Sequence, residues 1–201
     1  QFATNFTDEK LLKKAKKAGL EPAAASLLDQ RGVQTEEALQ EFLEPSLDQL
    51  HNPYDLHDME RAVERIRAAI ENYEQILIYG DYDADGMTSA SIVKEALEQL
   101  GAECQVYLPN RFTDGYGPNS SVYKYFIENQ GISLIITVDN GVAGLEAIEL
   151  AKSLGVDVIV TYHHSMPEEL PNAYAIVHPE HSGADYPFKH LAGCGVAFKL
   201  A

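Results

Sequence analysis

Asp81, Asp83 and Asp85 stand at every second position of the segment Tyr79-Gly80-Asp81-Tyr82-Asp83-Ala84-Asp85-Gly86. Carboxylates crowded in this way repel one another unless a proton or a hard cation comes between them, so the pattern favours a divalent metal site over a solvated acidic turn. Calcium-binding EF-hands share the D-x-D-x-D-G opening, but they need a bidentate acid at loop position twelve and a helix before the loop. Here that position is Ile92, and the residues before the loop, Gln75-Ile76-Leu77-Ile78-Tyr79, read as a strand. The EF-hand reading fails on both counts.

Two further apolar runs end in the same manner. Leu134-Ile135-Ile136-Thr137-Val138 delivers Asp139-Asn140-Gly141, and Val156-Asp157-Val158-Ile159-Val160-Thr161 delivers Tyr162-His163-His164. One Asp after a strand is most simply a helix cap; three strand ends carrying Asp and His together are a constellation. Mixed carboxylate and imidazole donors suit Mn²⁺ or another transition ion better than Ca²⁺. His178 sits at another strand end, and with His181 and His190 it reads as structural.

The elements that must position these groups alternate from residue 75 onward. Strands are expected at 75–79, 104–108, 133–138, 156–161 and 174–177, and helices at 87–100, 119–129 and 142–153. Strand-helix alternation implies an α/β fold with a mostly parallel, doubly wound sheet and right-handed crossovers, whose ligands bind at the carboxyl ends of the strands. Residues 1–74 read as an all-helical N-terminal cap, with helices at 7–18 (Thr7 as N-cap), 22–30, after Thr35 and over 59–70. Lys10, Lys13, Lys14, Lys16 and Lys17 read as a solvated helix face. The glycine-punctuated segment Pro109–Asn119 is either a functional loop or a plain connection.

The 201 residues suffice for one domain with an appendage or two small domains, and 45% hydrophobic with 23% charged content is that of a globular chain. No apolar run is long enough to span a membrane and no signal-peptide pattern opens the sequence, so a cytoplasmic protein with no membrane role is expected. Cys104 and Cys194 read as buried reduced thiols. The net charge of -16 argues against a broadly DNA-coating surface but not against a phosphoesterase, where bound cations supply local positive charge.

Asp81-x-Asp83-x-Asp85-Gly86, Val138-Asp139-Asn140-Gly141 and His163-His164 resemble the first three motifs of the DHH phosphoesterase superfamily. Within it, the likeness is to the bacterial exonucleases that degrade single-stranded DNA in the 5′→3′ direction. Supporting segments are Leu50-His51-Asn52-Pro53, helix 59–70, Ile78-Tyr79-Gly80, Asn110-Arg111-Phe112 with Asp114-Gly115-Tyr116-Gly117, and Ala192–Ala197. The resemblance implies a DHH-type core at 75–201 and a two-metal site, Mn²⁺ or Mg²⁺, that hydrolyses a phosphodiester of single-stranded DNA in repair and recombination. By the same resemblance Asp81, Asp83, Asp85, Asp139 and His163 are the metal ligands. Asp139 bridges the metals, His164 contacts the scissile phosphate or leaving oxygen, and Arg111 holds a phosphate. Single-strand-binding or other repair proteins are the implied partners.

Two departures stand out. The family reads Asp-His-His where this chain has Tyr162-His163-His164. The family's fourth aspartate motif and its further C-terminal parts are also not in the sequence, so the core is expected to be truncated and its activity impaired. Two alternatives follow. One is a catalytically silent DHH-fold scaffold that binds DNA or replication proteins. The other is a phosphodiesterase of short oligonucleotides or cyclic dinucleotides, against which the N-terminal cap and the Asp-Gly-Tyr-Gly loop count.

Overall fold

The structure, a computed structural model, describes residues 9–201, so Thr7 and its expected capping role lie outside the described residues. The chain divides into two compact units, up to Leu50 and from His51 to Ala201. In the first, α1 (Glu9–Lys17), α2 (Pro22–Gln30) and α3 (Glu36–Leu43) bury Ala15, Ala25, Leu28 and Leu39. Proline stands in the first turn of α2, where its missing N–H costs nothing. Thr35 caps α3 by accepting a hydrogen bond from the amide of Ala38.

The second unit is a five-stranded parallel sheet: β1 (Gln75–Tyr79), β2 (Cys104–Tyr107), β3 (Ile132–Val138), β4 (Asp157–Thr161) and β5 (Ala175–Val177), in the order β2-β1-β3-β4-β5. Strand residues alternate between two apolar cores. Ile76, Ile78, Leu134, Ile136 and Ile159 pack on one face with α4 (Met59–Glu71), α5 (Ala84–Gln99) and α8 (Gly193–Leu200). Leu77, Tyr79, Ile135, Val158 and Val160 pack on the other with α6 (Ser120–Gln130) and α7 (Leu145–Ser153). Strands buried on both faces read as near-continuous apolar runs, which is why they stood out in the sequence.

The cap expected over residues 1–74 is divided. Residues from His51 group with the sheet, because Met59, Ala62, Ile66 and Ala69 of α4 are buried in the first of these cores. A helix with an apolar stripe of this width needs the sheet face to cover it. The helix expected from residue 87 starts earlier, at Ala84, because Asp83 caps it by accepting from the amide of Gly86 at 2.9 Å.

At the amino ends of the strands, Arg65 of α4 ties three of them together. Its Nε donates to Asp157 Oδ2 at 2.6 Å, and its Nη2 donates to Glu74 Oε2 at 2.7 Å. Glu74 Oε2 also accepts from the hydroxyl of Ser133 in β3 at 2.9 Å. The Arg65 hydrogen bond holds the Glu74 carboxyl below its ordinary range despite partial burial. Removing one partner of a largely desolvated pair leaves the other charge uncompensated. Arg65→Met is expected to lower unfolding free energy by about 2–3 kcal/mol, read from the urea midpoint, with metal binding at the opposite edge unchanged.

Candidate metal centre

β1 and β3 are neighbours, and the strand order reverses between them, which is where open α/β sheets form a crevice. Tyr79 pairs with Thr137, so Asp81 and Asp139, each two residues further on, come to the same level at the carboxyl edge. Val138 pairs with Thr161, which brings Tyr162 and His163 beside Asp139.

Among the described residues two groups of donor atoms result, each with its members within 4.8 Å of one another: Asp81, Asp83 and Asp139, and Asp139, His163 and His164. Asp139 belongs to both. It is 1% exposed, neither carboxylate oxygen has a hydrogen-bond partner among the described residues, and its φ of 57° is one that Asp tolerates. His163 Nε2 lies 3.1 Å from Asp139 Oδ1 and 3.2 Å from Asp85 Oδ2. Although close, these contacts lack hydrogen-bond alignment, and the nitrogen remains without a partner. Burial, and then the charges of Asp85, Asp83 and Asp81, push the Asp139 carboxyl up to about 7. Burial and the neighbouring His164 push the His163 imidazole down. An unpartnered buried carboxylate facing a neutral imidazole is a set of donors suited to a cation, and the residues fit a divalent metal.

Asp85 stands in neither group. Its oxygens accept the amides of Gly193 and Cys194 at 2.7 and 2.8 Å, capping α8. Burial alone would raise its carboxyl, but those two amides hold it below the ordinary range. Here it holds α8 against the site, while its Oδ2 stays 3.2 Å from His163 Nε2, beside the donor groups.

That contact reveals a residue whose role the sequence reading did not assign. A Cβ at Gly193 would meet Asp139 Oδ1 at 2.7 Å and its Cγ at 2.8 Å, so only glycine lets α8 approach. Gly193→Ala is expected to push the Asp139 carboxylate or α8 aside. The expected results are a Mn²⁺ affinity about 10–100-fold weaker by calorimetry and a stability loss of about 1–3 kcal/mol. Unchanged Mn²⁺ affinity would show that the close packing is incidental. The only local signal was the glycine spacing of Ala192-Gly193-Cys194-Gly195.

The segment 109–119 is built onto the sheet. Asp114 accepts from the Tyr107 hydroxyl and the Asn110 amide, each at 2.7 Å, and the Tyr79 hydroxyl donates to the Gly117 carbonyl at 3.0 Å. Arg111 lies over the ring of Tyr82, 5.4 Å from its centroid, beside the acidic loop. Phe112 is 94% exposed. Tyr162 is buried as part of the apolar core that includes Val160, and its ring lies 5.2 Å from that of His164 and 5.8 Å from that of His178. A polar groove of about 480 Å³, lined by His163, His164, Lys189 and His190 among others, opens from the imidazole side. A separate apolar groove of about 240 Å³ lies among α4, α5 and α8 and carries none of these groups.

Fold and site together define a DHH-type protein, and residues 75–201 match the model of the DHH family, N-terminal domain. The chain belongs to that family. It is 49% identical over 180 residues to the single-stranded-DNA-specific exonuclease RecJ of Bacillus subtilis, an alignment covering 90% of this chain and 23% of that protein. The chain therefore spans under a quarter of that relative's length. Among solved structures it is similar to RecJ from Thermus thermophilus in complex with Mn²⁺, with a TM-score of 0.68 and 28% identity over 94% of this chain and 26% of that one. It is also similar to an exonuclease RecJ bound to manganese, with a TM-score of 0.66 and 31% identity over 72% of this chain and 36% of that one. No helix among the described residues is long and apolar enough to cross a membrane.

Proposed function

We propose that this chain is the metal-binding core of a RecJ-type phosphoesterase, which hydrolyses single-stranded DNA from its 5′ end with Mn²⁺ or Mg²⁺. The observation that carries the reading is the buried, unpartnered Asp139 carboxylate shared by two groups of donors. Asp81, Asp83 and Asp139 would hold one cation, and Asp139, His163 and His164 a second. When bound, such ions neutralise the charge that develops on a phosphodiester and lower the pKa of an attacking water.

The chain's own residues supply orientation. Asp83 keeps the start of α5, and Asp85 the start of α8, in register with the site. His164, half exposed at the groove, would ligate through one ring nitrogen and offer the N–H of the other to a phosphate oxygen. Arg111 offers a guanidinium at the acidic loop for a second phosphate, and the exposed Phe112 offers a face on which a base could stack. Stacking and phosphate contacts of this sort favour single strands over duplexes, whose bases are already stacked.

The test is Mn²⁺-dependent release of nucleotides from 5′-phosphorylated single-stranded DNA, with duplex DNA and dinucleotides as controls. The chain itself and a version extended to the length of its relatives are compared. Release from the single strand supports the reading; a preference for dinucleotides in both forms points to the short-oligonucleotide enzyme instead. One observation favours a second reading, a DHH-fold scaffold without turnover: a buried tyrosine occupies the place of the family's acidic residue. Mn²⁺ binding without hydrolysis in the extended form would select it.

A further inference from the structure

The strand end at β5 carries a group that the proposed mechanism does not use. His178 follows Val177 and is 1% exposed, yet both ring nitrogens are engaged. Its Nδ1 lies 2.9 Å from the amide of Glu180, and its Nε2 lies 2.7 Å from the carbonyl of His164. The Glu180 amide can only donate, so Nδ1 must accept, and the proton of the neutral ring sits on Nε2. Nε2–H therefore donates to the His164 carbonyl.

This hydrogen bond acts on the backbone of a residue whose side chain faces the site. His164 Nε2 is 3.6 Å from Asp139 Oδ1, and its ring lies 4.1 Å from that of His163. Beyond Thr161 the sheet no longer fixes the chain as a strand, and the link from the Tyr162 amide to the Val177 carbonyl is 3.2 Å long. The shorter bond to His178 is what orients the peptide that leaves His164. The His178 ring also packs against that of Tyr162, with centroids 5.8 Å apart. The residue that shapes β4's exit is thus itself caged.

We infer that His178 is a positioning residue, fixing His164 at the Asp139 carboxylate through the bond from its Nε2–H to the His164 carbonyl. The inference rests on the reading of Asp139, His163 and His164 as a metal and phosphate site. It concerns a residue that touches neither. It differs from simple core packing in a way that two substitutions separate. His178→Gln carries a side-chain amide to about the place of Nε2, keeping the donor to His164 and losing the acceptor for Glu180. His178→Asn carries an oxygen to about the place of Nδ1, keeping the acceptor and losing the donor.

The experiment measures three quantities for the chain and both variants: melting temperature, Mn²⁺ affinity by calorimetry, and the ring resonances of His164 by NMR of the metal-free protein. Removing a hydrogen-bonding partner behind a metal-facing group costs about 10–100-fold in affinity. His178→Asn is expected to bind Mn²⁺ at least about 10-fold more weakly and to shift the His164 resonances. His178→Gln is expected to stay within a few-fold of the parent with those resonances in place, although both variants lose similar thermal stability. Equal losses of affinity in the two variants, or resonances that move in both alike, would assign His178 to packing and overturn the inference. Loss in Gln but not Asn would move the role to the Glu180 bond and overturn it too. If the parent chain binds no Mn²⁺, the reading of the metal site fails, while the NMR comparison still decides the positioning role.

Discussion

Asp139→Asn is expected to weaken Mn²⁺ binding by at least about 100-fold and to remove Mn²⁺-dependent hydrolysis, because Asp139 is the one side chain common to both donor groups. Asparagine suits the test, since it accepts the left-handed backbone at this position and matches the carboxylate in size. The same substitution has an opposite effect on the metal-free chain. Burial and the three neighbouring aspartates raise the Asp139 carboxyl to about 7 in the folded state. A carboxyl with a raised pKa holds its proton more tightly when folded than when unfolded. The resulting stabilisation is complete below the unfolded value of about 4 and is lost as the pH rises through 7. From this group alone the metal-free chain is expected to lose up to roughly 4 kcal/mol between pH 4 and pH 8. Asp139→Asn should flatten that slope and raise the melting temperature at pH 8. In the parent, Mn²⁺ takes the proton's place, so its stabilising effect should be greater at pH 8 than at pH 5. Melting curves at the two pH values, with and without Mn²⁺, give all four quantities. Parent-like Mn²⁺ affinity in the Asn variant would remove Asp139 from the site.

The second large effect concerns Tyr162. Both donor groups close without it, and its ring is buried in an apolar core of the sheet. The Tyr162 chain is therefore expected to bind Mn²⁺. What it lacks is a carboxylate beside His163 and His164 to fix their tautomers and raise their basicity, a contribution of about 10–100-fold in turnover. Tyr162→Asp, in the form extended to the length of its relatives, should raise hydrolysis of single-stranded DNA by that factor with Mn²⁺ affinity changed only a few-fold. It should also cost stability, on the order of 3 kcal/mol, because deleting a buried ring leaves a cavity. Equal turnover in the Tyr and Asp forms would place position 162 outside the mechanism.

The sheet was legible because β1, β3, β4 and β5 are apolar on both faces: β1 was expected at 75–79 and is found at Gln75–Tyr79. The other four lie within a residue of expectation at either end. Helix starts were less legible. At α5, Asp83 is both a capping residue and a member of a donor group, and a reading by apolar spacing begins only at Met87. The strand-end aspartates and histidines could be gathered from sequence because a parallel sheet sends every strand end to one edge. Three features could not. Asp85 facing α8, Gly193 against Asp139 and His178 behind His164 are contacts between distant segments, and no local periodicity encodes them.

The bond from the Gly193 amide to Asp85 spans 108 positions of sequence, and this separation bears on how the protein is made. Chains leave the ribosome amino end first, and parallel strands pair only after their crossovers are complete. The acidic loop after β1 is thus synthesised long before β3 brings Asp139 to it, and longer still before α8 seals the edge. Until α8 docks, Asp85 lacks the two amides that hold it, and Asp139 lacks the close cover of Gly193. In a protein of this design the edge of the site is covered only after both donor groups are complete.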